Sequence, residues 1–487
     1  MSLNSILTTQ QMYQADALTI ARGMAGIDLM ENAGRSVVDE IKKRWEPRET
    51  IVLCGPGNNG GDGFVIARLL MEANWPVQLI LLDDKNLLSG DCAKAAAKWS
   101  GSCNKPSIKL LADHPLVIDA LFGAGLTRAL TGDALELVQY INLHNLDCVG
   151  VDIPSGVHGN SGQVLGDAPK CCLTVTFFMP KPAHVLMPAR TILGDLVVTD
   201  IGIKEDVLDQ IPPNLFVNSP SLWANKFPTP KIDAHKFSRG HVLIAGGEIM
   251  TGAALLAARA ARRIGAGLVT IAAPPSTWPV YASDQPGNLI KKTANLAEFE
   301  QQLSDPRITS IIIGPGLGLG DKTKEFVLSA LKTKKPLILD ADGISVFEDN
   351  PEQLMDHLHE SCVLTPHEGE FTRLFHQQGD KVTKSIEAAK AANTCVLLKG
   401  PDTVIATPSG NATINTVGNA YLATAGSGDV LAGLIGGLMA QGMAPFNAAC
   451  CAVWMHGKAA EDFGPGLIAE DIPPLIPKIM RTIIKMS

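Results

Sequence analysis

The sequence lacks an excess of basic residues, a long apolar run and the N-terminal pattern of a secretory signal. Its 41 lysines and arginines are outnumbered by 49 aspartates and glutamates, so a general electrostatic attraction to nucleic acid or an anionic membrane is excluded. The most apolar stretch, residues 430–444, is interrupted by glycine and too short to span a bilayer. Asp16 precedes the first basic residue, Arg22, without a continuous apolar segment nearby, so no signal peptide is expected.

The ten cysteines form no Cys-x-x-Cys motif and no regular framework of pairs. Several lie inside apolar runs of the kind that form strands, which is typical of reduced thiols in the cytosol. We therefore expect a cytoplasmic protein without disulfide bonds and without a zinc site. His357 and His359 have no supporting acids at metal-binding spacing, so no metal is assigned to them either.

The length of 487 residues alone suggests about three domains at ~150 residues each, but the pattern of the chain indicates two. Short β-branched runs end in glycine-rich turns and are followed by alanine-rich helical stretches, on both sides of a proline-rich segment at 211–230. We predict two α/β domains with mostly parallel sheets, at residues 1–215 and 231–487, joined by a linker at 216–230.

The apolar runs predict the strands and the longer periodic stretches predict the helices. In the first half the predicted helices are 8–22 and 28–44, and the predicted strands are 50–54, 77–82, 116–118, 147–152 and 173–178. In the second half the predicted strands are 241–245, 268–272, 310–314, 336–340, 362–365, 394–399 and 403–407, and the long helices are 252–264, 368–375 and 429–441.

A glycine-rich run separates the predicted strand 50–54 from a helical stretch at 64–71. Gly55, Gly57 and Gly60 fit the G-x-G-x-x-G spacing, in which glycines let the backbone approach a pyrophosphate at a helix N-terminus. An ordinary tight turn, or the cofactor site of a hydride-transfer enzyme, explains the same glycines. A ribose-binding acid is expected about 20 residues further on, and the acids found there are Asp83 and Asp84.

Polar side chains follow three predicted strands of the first half. Asn58, Asn59 and Asp62 lie in the glycine-rich run, where carboxylate beside phosphate implies a bound cation or a sugar hydroxyl. Asp119 and Asp152 end two further strands and are followed by glycine-rich turns. Any one of these residues could be a turn cap. Together they predict a ligand site at the carboxyl edge of a parallel sheet.

In the second half, small residues precede a helix that begins near Asp429. The backbone amides of Gly426, Ser427 and Gly428 would face an anion, beside the carboxylate of Asp429. A base next to an anion site suits phosphoryl transfer, because the carboxylate takes a hydroxyl proton while the amides stabilise charge. The alternative is an acid that only stabilises the start of a buried glycine- and alanine-rich helix.

The motifs of the first half, at 31–34, 54–64, 119–127 and 151–156, closely resemble the NAD(P)H-hydrate epimerase family. The resemblance implies a Rossmann-like three-layer α/β/α domain that interconverts the R and S hydrates of NADH and NADPH. It also implies a potassium ion at Asn59, Asp119 and Ser155, and Asp152 as the acid/base; Lys181 lies near it or is a solvated surface lysine. The implied substrate-binding residues are Asn58, Asn59, Gly60, Gly61, Asp62, Gly123, Ala124, Gly125, Leu126, Thr127, Arg128, Ala129 and Asp152.

The strand ends of the second half, at 314–318, 340–343, 365–370 and 399–403, resemble the ribokinase-like fold and the ADP-dependent NAD(P)H-hydrate dehydratase family. The implied reaction phosphorylates the S hydrate from ADP with Mg²⁺ and then expels phosphate, which leaves AMP and NAD(P)H. The implied contacts to the hydrate are Ala253, Gly318, His367 and Asp429, with Asp429 catalytic. The implied contacts to ADP are Lys399, Gly400, Pro401, Asp402, Thr403, Gly426, Ser427 and Gly428.

Two segments depart from that family's pattern: Ser427 stands where threonine is commoner, and residues 284–288 differ from the expected substrate loop. Two other functions stay open at this point. One is a small-molecule kinase for a vitamin alcohol, fused to a dinucleotide-binding domain; the other makes the first half an interaction module. The preferred hypothesis is a bifunctional repair enzyme, an isomerase and a lyase, that binds small molecules and forms a homo-oligomer.

Overall fold

The computed structural model describes residues 4–485 and divides the chain into two compact units, residues 1–215 and 216–487. Each unit has its own sheet, fully parallel in the first and mostly parallel in the second. All ten cysteines are free thiols. Within residues 4–485, no helix combines the length and the apolar character that crossing a membrane requires.

The first unit is a three-layer α/β/α structure built on seven parallel strands. Alternate residues of each central strand pack into two separate apolar cores, one on each face of the sheet, because helices cover both faces. In order across the sheet the strands are Cys103–Asn104, Val77–Leu81, Thr50–Cys54, Leu116–Ala120, Cys148–Val151, Leu173–Phe177 and Asp195–Thr199. Its α-helices are Thr9–Ala21, Gly26–Lys42, Asn58–Glu72, Gly90–Ala97 and Gly132–His144.

The five strands predicted for this unit are confirmed, with small shifts at their ends. Sequence reasoning missed the edge strands Cys103–Asn104 and Asp195–Thr199, because the first is very short and the second is half exposed with an apolar run of only three residues. The helix expected from residue 64 begins earlier, at Asn58, inside the glycine-rich run. The start of this helix therefore belongs to the ligand-facing edge of the sheet.

The second unit is also α/β, and its seven predicted strands are all confirmed. Its strands in order are Leu289–Lys292, Leu268–Ala273, His241–Ala245, Ser310–Ile313, Leu337–Leu339, Cys362–Leu364, Cys395–Leu398, Val404–Ala406 and Ala412–Ile414, and the last two pair antiparallel. Its longer helices are Thr251–Arg263, Leu296–Leu303, Asp321–Lys332, Lys381–Ala392, Ser427–Ala440, Pro445–Phe463 and Ile472–Ile484. The predicted strand pattern missed Leu289–Lys292, which is mostly exposed, and the short Ala412–Ile414.

The segment 216–230, predicted to be a linker, is folded into the second unit. It contains the short helix Pro220–Trp223, and the indole of Trp223 is fully buried in the core beside Phe227. Trp223 also packs edge-to-face on Trp454, with ring centroids 5.9 Å apart. The prolines keep this helix short, because their rings fix φ. They do not prevent the neighbouring side chains from packing into the core.

Two helices of the second unit approach unusually closely. Helix Ser427–Ala440 packs on helix Thr251–Arg263, and Gly433 lies against the backbone of the latter. A Cβ at Gly433 would lie 2.2 Å from the carbonyl oxygen of Ala257. Only glycine permits this separation, which places the N-termini of both helices at the same edge of the sheet.

Candidate active sites

A cavity of about 520 Å³ lies at the carboxyl ends of the strands of the first unit. Its walls come from the turns after four parallel strands and from one face of the first helix. This is where open α/β sheets bind ligands. The polar side chains that line it are Tyr13, Asp16, Asn58, Asn59, Asp62, Asp91, Thr127, Arg128, Asp152 and Lys181.

Asp152 forms a buried ion pair with Lys181 in the cavity wall. The Lys181 Nζ donates to Asp152 Oδ1 at 2.7 Å and to Thr176 Oγ1 at 2.8 Å, and its side chain is 3% exposed. Burial alone would raise the pKa of Asp152, but the charge of Lys181 lowers it below its ordinary value. Asp152 is therefore an ionised carboxylate in this cavity, as a proton acceptor must be.

The backbone of Asp152 is fixed as firmly as its side chain. Its φ of 64° lies in the left-handed region, which costs a non-glycine residue about 1–3 kcal/mol and is common at functional sites. His184 Nδ1 accepts the amide of Lys181 at 2.8 Å, so its Nε2 carries the proton donated to the Asp152 carbonyl at 2.9 Å. Burial, and then Lys181, lower the pKa of His184 to about 4, which keeps this imidazole neutral.

Asp119 and Ser155 meet behind the cavity. The carboxylate of Asp119 accepts the Ser155 amide at 2.7 Å and its hydroxyl at 2.6 Å. The same hydroxyl oxygen accepts the Phe122 amide at 2.9 Å. Burial raises the pKa of Asp119 to about 6 although the bonds from Ser155 oppose it, and within residues 4–485 no cation pairs with this carboxyl.

Asn59 approaches the same turn from the start of helix Asn58–Glu72. Its Oδ1 lies 3.1 Å from the position that a Cβ would take at Gly123, the residue after Phe122. Its Nδ2 is buried, and no residue from 4 to 485 provides a hydrogen-bond partner for it. The three residues predicted to hold potassium thus converge on the 122–123 turn.

Most residues predicted to bind the hydrate line the cavity, and three do not. Gly60 packs behind it on the carbonyl of Gly55, Gly61 packs on Met30, and Ala129 lies beyond the loop residues that face it. The predicted residues in the wall are Asn58, Asn59, Asp62, Gly123, Ala124, Gly125, Leu126, Thr127, Arg128 and Asp152.

Sequence reasoning missed the contribution of the first helix and left Lys181 undecided. Tyr13 and Asp16, about one turn apart on helix Thr9–Ala21, both line the cavity. Their spacing on one helix face was the available signal. The interpretation of Asp83 and Asp84 as ribose-binding acids is not supported, because both are exposed outside the cavity and Asp84 caps a short 3₁₀ helix.

In the second unit, Asp429 lies in the first turn of helix Ser427–Ala440, as predicted. Gly426 caps the helix with a φ of 86° and no side chain bonds to its first turn, so the Gly428 amide can face a ligand, whereas the Ser427 amide donates to the Thr424 carbonyl at 3.3 Å. Burial, and then the nearby carboxylate of Asp340, raise the pKa of Asp429 to about 6. A carboxyl of this kind can accept a proton near neutral pH beside an anion site.

Lys399 brings positive charge to the same place. Its Nζ donates to Asp340 Oδ1 at 2.7 Å and lies 3.8 Å from Glu370 Oε2. Burial disfavours the charge of Lys399, but Asp340 and Glu370 hold its pKa above the usual value. Both Lys399 and Asp340 lie close to Gly428 at the start of the Asp429 helix.

The other residues predicted to touch the hydrate lie on neighbouring strand ends. His367 caps helix Glu368–Leu374 by accepting the Gly369 amide at its Nδ1 at 3.0 Å, while its Nε2 lies 3.4 Å from Glu370 Oε1 and the side chain is exposed. The Gly318 amide donates to Asp342 at 2.8 Å. Ala253 is buried against the turn of Gly316.

The predicted nucleotide-binding turn of Lys399, Gly400, Pro401, Asp402 and Thr403 is closed by its own side chains. Thr403 Oγ1 donates to the Gly400 carbonyl at 2.8 Å. Asp402 is buried and pairs at 2.5 Å with Lys381, a cation that sequence reasoning missed. Lys381 lies 21 residues from Asp402 in the chain, and no motif connects the two.

Ser427, the residue that departs from the family's threonine, is bonded to His456. The Nε2 of His456 lies 3.0 Å from the Ser427 carbonyl and 3.1 Å from its hydroxyl. Burial lowers the pKa of His456 to about 4, so a neutral imidazole holds the first turn of the Asp429 helix. In the other unusual segment, 284–288, Asp284 pairs with Arg259.

The Lys399–Asp340 pair yields a stability prediction. Replacing Lys399 with methionine leaves the carboxyl of Asp340, which is 2% exposed, without its ion-pair partner. Loss of one member of a buried pair costs about 3–5 kcal/mol in the free energy of unfolding. Lys322→Met, which removes an exposed pair with Glu248, should cost under about 1 kcal/mol. Denaturant unfolding of both variants measures the difference, and equal shifts would contradict the assignment.

Comparisons with known proteins match the two halves of the chain separately. Residues 26–183 match the family model described as YjeF-related protein N-terminus, and residues 241–479 match that of NAD(P)H-hydrate dehydratase. A ribokinase-like superfamily protein from Enterococcus faecalis V583 matches with a TM-score of 0.51 and 24% identity, covering 55% of this chain and 96% of that protein, which shows the fold.

Two curated relatives extend the likeness over nearly the whole chain. The bifunctional NAD(P)H-hydrate repair enzyme Nnr of Coxiella burnetii is 35% identical over 485 residues, covering 96% of this chain and 97% of the relative. The enzyme of the same name from Salinibacter ruber is 34% identical, covering 97% of this chain and 96% of the relative. This chain belongs to the family of bifunctional NAD(P)H-hydrate repair enzymes.

Proposed function

We propose that the first unit epimerises the R and S hydrates of NADH and NADPH, and that the second dehydrates the S hydrate with ADP. The observation that carries this division is one acid–base carboxyl at the sheet edge of each unit, Asp152 and Asp429, each beside a helix N-terminus. The pKa of Asp152 is lowered, so this carboxyl is ionised and can accept a proton during epimerisation. The pKa of Asp429 is raised to about 6, which suits a general base near neutral pH. One chain can then clear both epimers.

Epimerisation requires the hydroxylated carbon next to the ring nitrogen to lose its configuration. The ionised Asp152 takes the hydroxyl proton, the C–O bond becomes a carbonyl, and the C–N bond breaks with its electron pair on nitrogen. Rotation and reclosure on the other face give the second epimer, and the proton returns to oxygen. Lys181 and His184 hold Asp152 in place for this transfer.

Asn59, Asp119 and Ser155 would hold the potassium ion. The donors suit a hard cation, since they are a carboxylate, a hydroxyl and an amide oxygen. Within residues 4–485 the buried Asp119 carboxyl pairs with no cation, and the buried side-chain nitrogen of Asn59 has no hydrogen-bond partner. The side-chain amide of Asn59 is therefore not held in an orientation that would keep its oxygen away from the ion. When bound, the ion would neutralise Asp119 and hold the 122–123 turn.

Potassium should therefore stabilise the protein, and more at higher pH. With its pKa raised to about 6, ionisation of Asp119 costs stability as the pH rises from about 4, its unfolded value, through 6. Bound potassium offsets this cost, because at a concentration of 100 times its Kd it raises the free energy of unfolding by about 2.7 kcal/mol. We expect KCl to raise the melting temperature above that in choline chloride at pH well above 6. Asp119→Asn should remove the difference; a full effect in that variant would contradict the site.

Dehydration uses Asp429 and the amides of Gly426, Ser427 and Gly428. Asp429 takes the proton from the hydroxyl of the S hydrate, and that oxygen attacks the terminal phosphorus of ADP as AMP leaves. The nitrogen lone pair then expels inorganic phosphate, and the neighbouring carbon loses a proton to restore the double bond. The helix amides stabilise charge on the transferred group.

The turn of residues 399–403 would hold ADP beside the Asp429 helix, with Lys399 supplying positive charge. Mg²⁺ is usually held by one or two carboxylates together with substrate phosphates. Asp342, which is close enough to Asp429 to raise its pKa, is the fitting oxygen donor here, and Asp429 is then available as the base.

A mixed hydrate preparation tests the proposed function. Incubated with ADP, Mg²⁺ and K⁺, the full chain should convert both epimers to reduced dinucleotide, with AMP and phosphate as products. A parallel reaction with ATP shows which nucleotide is used. A stable phosphoester product would favour the vitamin-kinase alternative instead. Absence of reduced dinucleotide under all of these conditions would overturn the proposal.

A further inference from the structure

The cavity of the first unit contains two carboxyl groups besides Asp152. Asp16 reaches it from helix Thr9–Ala21, and Asp62 from the second turn of helix Asn58–Glu72. Within residues 4–485 neither has an ion-pair or hydrogen-bond partner for its side chain. Free carboxyl groups in a ligand cavity are available for chemistry.

The proposed epimerisation needs a second proton-transferring group. When the C–N bond breaks, its electron pair stays on the ring nitrogen, which must gain a proton as the hydroxyl loses one. Asp152 is ionised by Lys181 and serves as the acceptor, so it cannot supply that proton in the same step. The donor must be another group that faces the cavity.

Most other polar groups in the wall are unsuitable donors. The hydrogens of Lys181 are directed at Asp152, Thr176 and the Phe177 carbonyl. Asp91 is paired with Lys94 at 2.8 Å. Arginine side chains do not give up a proton in proteins, which excludes Arg128 as the donor.

The surroundings that raise the pKa of both Tyr13 and Asp16 make Tyr13 a weak proton donor and Asp16 a good one. Burial, then the charges of Asp152 and Asp16, raise the pKa of the phenol above its ordinary value of 10.0, so it gives up its proton reluctantly. A carboxyl in the same surroundings is instead brought toward neutral pH. Asp16 and Asp62 are the two candidates that remain.

The position of Asp16 distinguishes it from Asp62. Asp62 is buried in the turn that carries Asn58 and Asn59, where the hydrate is to be bound. Asp16 is only partly buried, so it can regain a proton from water between turnovers. It stands on a separate helix, with Tyr13 beside it lying against Gly125 of the loop that also lines the cavity.

We propose that Asp16 is the proton donor of the epimerase reaction and the catalytic partner of Asp152, an inference that rests on the proposed function of the first unit. In the opening step Asp152 gains the hydroxyl proton, and Asp16 gives its proton to the ring nitrogen. In the closing step the nitrogen returns that proton to Asp16 as it attacks the carbonyl, and Asp152 protonates the oxygen. Protons and electrons balance, and no other reactant is needed.

The charges around Asp16 suit this role. The groups that face it are Tyr13 on its own helix, Asp62, Asp152 and Lys181. Burial raises the pKa of Asp16 to about 6, with Lys181 opposing and Asp152 adding to the shift. The acid therefore loses its proton as the pH rises through about 6, and the epimerisation rate should fall on that side.

The test measures epimerisation without ADP, so that dehydration does not consume the S form. Purified R hydrate is incubated with the full chain and K⁺ over a range of pH, and the epimers are separated by chromatography. Asp16→Asn should lower kcat by about 10²-fold or more and remove the fall above pH 6. Asp16→Glu should keep the pH-dependent fall. Asp28→Asn, at an exposed carboxyl outside the cavity, is the matched control.

Thermal unfolding of the Asp16→Asn chain beside the unsubstituted chain reports whether the first unit is folded, and dehydration of S hydrate reports on the second unit. A normal rate and pH profile in Asp16→Asn, while the unsubstituted chain epimerises, would overturn the proposal. So would loss of the fall above pH 6 in Asp62→Asn but not in Asp16→Asn. No epimerisation by the unsubstituted chain would instead reject the proposed function of the unit, which keeps the two failures distinct.

Discussion

Replacing Asp429 with asparagine is expected to slow dehydration of the S hydrate by about 10²–10⁴-fold, the usual contribution of a general base. Asparagine keeps the shape of the side chain but cannot accept the hydroxyl proton. The amides of the helix start stay in place, because Gly426 and the bond from His456 to Ser427 do not depend on residue 429. Binding of ADP should therefore change much less than the rate.

Epimerisation in Asp429→Asn should match the unsubstituted chain, since every residue that lines the first cavity belongs to the first unit. The measurement is formation of reduced dinucleotide from S hydrate with ADP, with separation of the epimers in a parallel reaction. Asp321→Asn, an exposed acid in the first turn of another helix, is the matched control. Loss of both activities in a folded Asp429→Asn chain would contradict the division between the units.

Asp152→Asn is expected to stop epimerisation and also to destabilise the first unit. The substitution leaves the ammonium of Lys181 buried without its partner, which costs about 3–5 kcal/mol in the free energy of unfolding. It also removes the contribution of Asp152 to the pH dependence of folding stability. The lowered pKa of Asp152 stabilises the folded state above about pH 4 and that stability is lost as the pH falls, so the variant should be less sensitive to acid.

A second variant separates catalysis from folding. In Asp152→Asn/Lys181→Met both charges are absent, so stability should recover by several kcal/mol while epimerisation stays about 10²–10⁴-fold down. With mixed hydrates and ADP, either variant should consume the S form and leave R hydrate behind. Rapid consumption of both epimers by a folded variant would show that Asp152 is not the acid/base.

The sequence predicted the sheet edges well because the signals are local. A run such as 148–151 is apolar throughout, since both faces of a parallel sheet are covered, and the first polar residue after it marks the edge. Asp119 and Asp152 could be found in this way, whereas Asp429 was found from the small residues that precede its helix. The α/β class and the repair-enzyme hypothesis are confirmed by the fold and the relatives.

The partners of these residues could not be found in the same way, because tertiary packing brings them together. Lys181 is 29 residues from Asp152, and the sequence around it does not distinguish an exposed lysine from a buried one. Asp16 lies on a helix outside every motif. Trp223 shows the converse error, since a proline-rich segment predicted to be a linker provides a fully buried core residue.

The close contact at Gly433 fixes the separation of the two helices that carry Asp429 and Ala253. Gly433 and Ala257 each lie four residues after one of these two residues, which the proposed function assigns to the hydrate. Adding one methyl group at Gly433 would push the helices apart one turn below Asp429 and Ala253. Under the proposed function, a residue that touches no substrate would then change the distance between two groups that bind it.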